Sequence, residues 1–186
     1  MMGYTEKLDA LLDRYKLKPL KGVMIFMLIT VIIHVAWRLW AYRLHYFPIQ
    51  DFMNAAGNFM ADIVFRQGSW FVQHVLGIEI TTANNTMYFS NNGYIAINSS
   101  CSGLKPMVQF VLLMMLYPGP WMKKLWFIPM GIVVVHLTNL FRVTGLSVVI
   151  MEWPNYWHFS HDYLFRPFFY VVIFAMWLWW EEKLRR

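Results

Sequence analysis

Charge is the scarcest ingredient of this chain. Only 14% of its 186 residues are charged, against 59% hydrophobic and 19% aromatic. A soluble domain usually carries about 25% charged residues. With a mean hydropathy of +0.42, the chain has too little polar surface to coat a water-soluble globule. Cysteine is scarcer still, with Cys101 alone. One cysteine excludes an internal disulfide and a CxxC redox pair, leaving either a packed thiol or a working one. Repeats and low-complexity tracts are missing. A cleavable signal peptide is not expected: the first apolar run starts only near Gly22, follows a charged lead and lacks a small-residue cleavage site. That run reads as a retained membrane helix. The formal charge of +6 does not point to nucleic acid, because the basic residues cluster beside apolar runs, the placement that orients membrane proteins.

What is present is a series of apolar runs in one domain, residues 1–186. Four of them predict about four transmembrane helices: Gly22–Trp40, Gly103–Tyr117, Leu125–Phe141 with a kink at Pro129, and Leu164–Trp180. Trp37, Trp40, Tyr42 and Tyr46 form an aromatic belt at the far end of the first. The insert at about 47–100 is different. Phe52, Ala56, Phe59, Ile63 and Val64 recur at helical spacing, which predicts an amphipathic helix on or near the membrane surface. TMYFS and YIAIN then flank SNNG, and Asn92-Gly93 favours a tight hairpin turn. The sequons at Asn84 and Asn98 read as by-products of polar turns. The expected fold class is a mainly α membrane protein, with about four transmembrane helices, an extracytoplasmic amphipathic helix and a small β-hairpin.

Lysine and arginine set the orientation. The N-terminal lead with Lys16, Lys18 and Lys21, the turn with Lys123 and Lys124, and the EEKLRR tail are all basic. An even number of spans puts them on one side, which the positive-inside rule makes cytoplasmic. The expectation is a multi-pass protein of the cell (inner) membrane, both termini cytoplasmic. The hairpin, Cys101, Arg142 and His161 then share the extracytoplasmic face. A thiol attacks as thiolate, which a helix N-terminus favours. An imidazole takes the proton and returns it to a leaving amine, and a guanidinium suits an oxyanion. Gly103 leaves room for a substrate backbone beside the thiol. Together the set points to acyl transfer at the outer membrane surface. His158 is an alternative to His161, lying three residues away on the same helical face. His34 and His136, inside spans, read as histidines bonded across helices. Asp62 and Glu152 read as surface charges.

Ser100-Cys101-Ser102-Gly103 ahead of a membrane helix resembles the nucleophile motif of the exosortase/archaeosortase family of membrane transpeptidases. Asn139-Leu140-Phe141-Arg142-Val143 resembles that family's Asn-x-x-Arg segment, and His161 before a final span matches its third member. The resemblance covers residues 95–180, with the motifs in the family's order. It implies cleavage of proteins that end in a short motif, one transmembrane segment and a basic cluster. It further implies Cys101 as nucleophile, His161 as acid/base, and Arg142 stabilising the oxyanion or orienting the thiolate. Ser102, Gly103 and Asn139 would support the site or the substrate, and an unidentified acceptor nucleophile would resolve the thioacyl-enzyme. No cofactor, resident metal or nucleic acid is implied; the partners are substrate proteins and the lipid bilayer. Larger members of the family have more spans, so the chain resembles the short forms. Two other readings compete. One is a metal site from Cys101, His158, His161 and Asp162. The other is a non-enzymatic assembly subunit whose hairpin pairs with a partner strand.

Overall fold

The computed structural model describes residues 20–184. Most of the basic lead, with Lys16 and Lys18, and the last two arginines of the tail lie outside the described residues. Three helices are long and apolar enough to cross a membrane. They are α1 (Leu20–Arg43), α4 (Trp121–Glu152) and α5 (Pro154–Leu184). The expected second span is a shorter element, α3 (Leu104–Leu116). Its 13 residues reach only about 20 Å, short of the ~30 Å of a hydrocarbon core. α4 is correspondingly longer than its apolar run and continues through Pro129. α1 leaves Met24, Leu28, Val31, Ile32 and Leu39 exposed, as suits a helix facing lipid.

The ends of these helices meet as the charge pattern requires. Tyr117, after α3, donates its hydroxyl to Glu181 near the end of α5 at 2.9 Å, and its ring packs edge-on against Trp177. The Lys124 ammonium, at the start of α4, donates to the carbonyls of Met115 (3.2 Å) and Tyr117 (2.7 Å) and lies over the Trp121 ring. A buried lysine thus satisfies the carbonyls that α3 leaves open where it stops. Gly131 lets α4 approach α3: a Cβ there would fall 2.1 Å from the Phe110 ring. Phe110, Met114, Phe127, Met176, Trp177 and Trp180 fill this half of the core.

The other half rests on α2 (Gln50–His74) and a three-stranded antiparallel sheet of β1 (Ile80–Ala83), β2 (Thr86–Phe89) and β3 (Tyr94–Ala96), in the order β1-β2-β3. The stripe that α2 buries is Gly57, Ala61, Val64, Gly68 and Val72. Phe52 and Phe59, two of the apolar residues expected on a helix at the membrane surface, are exposed. The packed face is instead made of small residues because α2 lies close against α4, with Gly68 beside Val143 and Leu140. The hairpin is present within a larger sheet, and its turns differ from expectation. Asn84 and Asn85, both at positive φ, make the two-residue turn between β1 and β2. Ser90-Asn91-Asn92 connects β2 to β3, with Asn92 left-handed and Gly93 accepting from the Phe89 N–H. Asp62 of α2 accepts a hydrogen bond from Asn85, pinning the first turn. Met87, Phe89, Ile95 and Ile97 pack with Val64, Val143, Leu146 and Phe165.

Candidate active site

Cys101 closes a short 3-10 turn, Ser99–Cys101, immediately before α3. Asn98 starts that turn by accepting from the Ser100 N–H at 3.0 Å, and its carbonyl accepts from the Cys101 N–H at 2.9 Å. The buried Ser102 hydroxyl donates to the Ser99 carbonyl at 2.6 Å and accepts from the Leu104 N–H at 3.2 Å. It therefore ties the 3-10 turn to the first turn of α3. Gly103 is left-handed, with φ +78, and the space a Cβ would take is held by Asn139, 3.0 Å away. The room expected there for a substrate is occupied by the protein itself. Asn139, fully buried on α4, donates its amide to the Cys101 carbonyl at 2.8 Å. Ser102, Gly103 and Asn139 thus form one clamp that fixes the backbone bearing the thiol.

Arg142 follows Asn139 on α4 by three residues, nearly one turn, so the residue holding the Cys101 backbone sets the register of the guanidinium. The guanidinium lines the same recess as Cys101, and its carbon stands 5.8 Å from the centre of the Phe169 ring. Its Nε is buried and has no partner among the described residues, as is the case for the Asn139 Oδ1. Arg142 does not stand at a helix end as expected, since α4 runs on to Glu152.

His161 also sits inside a helix. Residues Ser160–Phe165 form a π-helical segment within α5. Pro167 has no N–H to give to the carbonyl four residues back and would clash with it in a regular helix. A wider turn before it resolves that conflict and re-aims the side chains it carries. The His161 Nδ1–H donates to the Asp162 carboxylate at 2.8 Å, and Arg166 holds the same oxygen at 3.1 Å. Because a carboxylate only accepts, this bond places the proton on Nδ1 and leaves Nε2 as the basic nitrogen. The Trp157 ring stacks on the imidazole, with centroids 5.8 Å apart.

Cys101, Arg142 and His161 line one recess of about 620 Å³. Its walls are the β2–β3 loop and β3, residues 91–97, and the part of α4 from Arg142 to Ile150. Pro154, Trp157 and His158 close the far side. Asn91 fixes the loop by donating to the Ile150 carbonyl at 2.7 Å, and Ile150 leaves no room for a side chain at Gly93. Both candidate histidines face the recess. His158 is exposed and has none of the anchors of His161. His136 bonds Gln67 of α2 across helices at 2.7 Å, as a core histidine was expected to do. Asp62 and Glu152 are exposed. Asp162 as the imidazole's anchor and Trp157 as its stacking partner were missed. Asp162 was legible as a carboxylate beside a histidine, whereas the Trp157 contact depends on the helix continuing upstream of the apolar run. Among the described residues, no three His, Cys, Asp or Glu side chains are grouped to hold a metal ion.

No curated protein and no solved structure is similar to the chain. A family model, transmembrane exosortase, matches residues 17–183, which takes in every helix and strand described but for the last residue of α5, and each residue of the recess. The chain belongs to the transmembrane exosortase family, a membership that supports a membrane transpeptidase role in general.

Proposed function

We propose that the chain is a membrane cysteine transpeptidase that cleaves C-terminal sorting signals of exported proteins and passes the new C-terminus to an acceptor. The observation that carries this reading is the convergence of Cys101, Arg142 and His161 on one recess from three different segments. Cys101 Sγ attacks the scissile carbonyl carbon as His161 Nε2 takes the thiol proton. The Arg142 guanidinium, which lines the same recess, donates to the oxyanion. The tetrahedral intermediate collapses to a thioester, and the proton held by His161 goes to the leaving amine. An acceptor nucleophile then attacks the thioester and restores the thiol. Asp162 keeps Nδ1 protonated throughout, so that Nε2 stays the working nitrogen. The orientation belongs to the same reading: the lysine-bearing end cytoplasmic, and the recess on the outer face of the cell (inner) membrane.

The chain is co-expressed with an exported protein from its own genome that ends in a short motif, one apolar span and a basic tail. After an acid quench, the Cys101 peptide is weighed. The expected result is an acyl adduct on Cys101 that hydroxylamine removes. Processing with no adduct on Cys101 would overturn the proposal.

A further inference from the structure

Among the described residues, β3 is an edge strand, and its unpaired edge lies in the recess. The pairing fixes which groups face outward. Phe89 pairs with Gly93 and Asn85 with Ile97 through backbone hydrogen bonds, so Met87 and Ile95 form the hydrogen-bonded pair between them. Tyr94 and Ala96 occupy the alternate, non-bonded positions opposite Tyr88 and Thr86. Their N–H and C=O groups therefore point away from β2. The same residues line the recess that Cys101 closes. From this edge we infer that the substrate binds by strand addition: the extended segment ahead of its scissile bond pairs with β3 through the Tyr94 and Ala96 backbones. The inference rests on the proposed function and names how that site holds its substrate.

Three observations favour a peptide strand as the occupant. First, β3 starts beside Gly93, which is docked on Ile150 of α4, and its chain leads on to Cys101, whose carbonyl is held by Asn139 about three turns back along α4. An exported chain anchored by a C-terminal span runs the same way, so the added strand is parallel to β3 and delivers its scissile carbonyl to the thiol. Second, the depth is unfavourable for an unpaired peptide. Asn139, which holds the Cys101 carbonyl, lies fifteen residues along α4 from Lys124, or about 22 Å. Measured from the lysine-bearing end, the thiol lies within the ~30 Å thickness of a bilayer core. A substrate unwound there needs partners for its backbone, because unsatisfied N–H and C=O groups in hydrocarbon cost several kcal/mol each. β3 supplies them. Third, the edge itself presents main chain more than side chain: Ala96 has almost no side chain, and Ile95 and Ile97 are buried. Strand addition uses the main chain for affinity, leaving side-chain selection to the rest of the recess.

The test uses the full chain in detergent and two alkylating reagents. Acetyl-Ala-Ala-Ala chloromethyl ketone carries a peptide able to pair; iodoacetamide is too short to do so. Each forms a thioether at Cys101 with loss of halide. Proline at an edge position removes only an outward N–H and is tolerated on edge strands. Ala96→Pro should lower the ratio of the two rates about tenfold, whereas Ala96→Val, which keeps the N–H, should retain it. Equal ratios in both variants overturn the inference. A second measurement avoids any change to the edge. In the Cys101→Ala chain, millimolar acetyl-Ala-Ala-Ala-amide should slow hydrogen exchange at the Tyr94 and Ala96 amides. Unchanged exchange there overturns the inference even if the adduct on Cys101 forms. Protection of those amides without any thioacyl-enzyme leaves strand addition standing and removes the transpeptidase reading instead.

Discussion

The two ends of this helical bundle are built on opposite plans. At the lysine-bearing end, Tyr117, Phe127, Trp177 and Trp180 are fully enclosed. The buried ammonium of Lys124 meets two carbonyls and an aromatic face, and the Trp180 indole reaches the Pro118 carbonyl. Among the described residues, the Trp177 indole N–H is the buried polar group without a partner there. At the other end, α4 outruns α3, a sheet leans on the exposed length of α4, and a recess stays open between them. Arg142 Nε and Asn139 Oδ1 are left without partners beside the thiol. Buried polar groups are ordinarily paired, and unpaired ones cluster where a ligand or reaction supplies the partner. One end holds the bundle closed; the other holds reactive groups apart and open.

Substitutions should therefore sort by end, and the largest effects fall on the recess. Cys101→Ala removes the nucleophile and should abolish processing without changing the melting temperature in detergent, because Cys101 is only partly buried. Arg142→Ala should cost on the order of a hundred- to a thousandfold in the rate of thioacyl formation, measured in single turnover. His161→Ala should lose about a hundredfold or more, while His158→Ala keeps its activity. Reversed histidine results would reassign the base. Asp162→Asn should cost less than His161→Ala, on the order of tenfold, with the loss carried by the pH profile of the rate.

The closed end should respond in the opposite sense. Lys124→Met strands the Met115 and Tyr117 carbonyls and should lower stability by about 1–3 kcal/mol in a detergent unfolding titration, with the single-turnover rate retained by the folded fraction. Gly103→Ala sits between the two classes. A left-handed alanine costs roughly 1–2 kcal/mol, and its Cβ presses on Asn139. Both melting temperature and rate should fall, because Asn139 positions the Cys101 backbone.

How much of this was legible in the sequence follows from what each signal depends on. Cys101, Arg142 and His161 could be brought to one level by counting spans, because basic clusters mark the shared end whether α3 is long or short. The hairpin was visible in Asn92-Gly93, yet the glycine is needed for its packing on Ile150 and the left-handed residue is Asn92. Phe52 and Phe59 stay exposed because a membrane protein presents large apolar residues to lipid and packs small ones inside. The large apolar residues mark the lipid-facing side of α2, and the packed side is its stripe of small residues. The helix around His161 was hidden because apolar runs register only the lipid-crossing part of α5, and its first turns are polar. The Asn139 clamp emerged only with the left-handed backbone at Gly103, which no spacing rule announces.

The central claim is that the thiol at the mouth of α3 performs the chemistry. It is tested most directly by following release of a C-terminally tagged sorting signal in membranes carrying either the native chain or Cys101→Ala at equal abundance. The account predicts release with the native chain and none with Cys101→Ala. Full release by Cys101→Ala would contradict it.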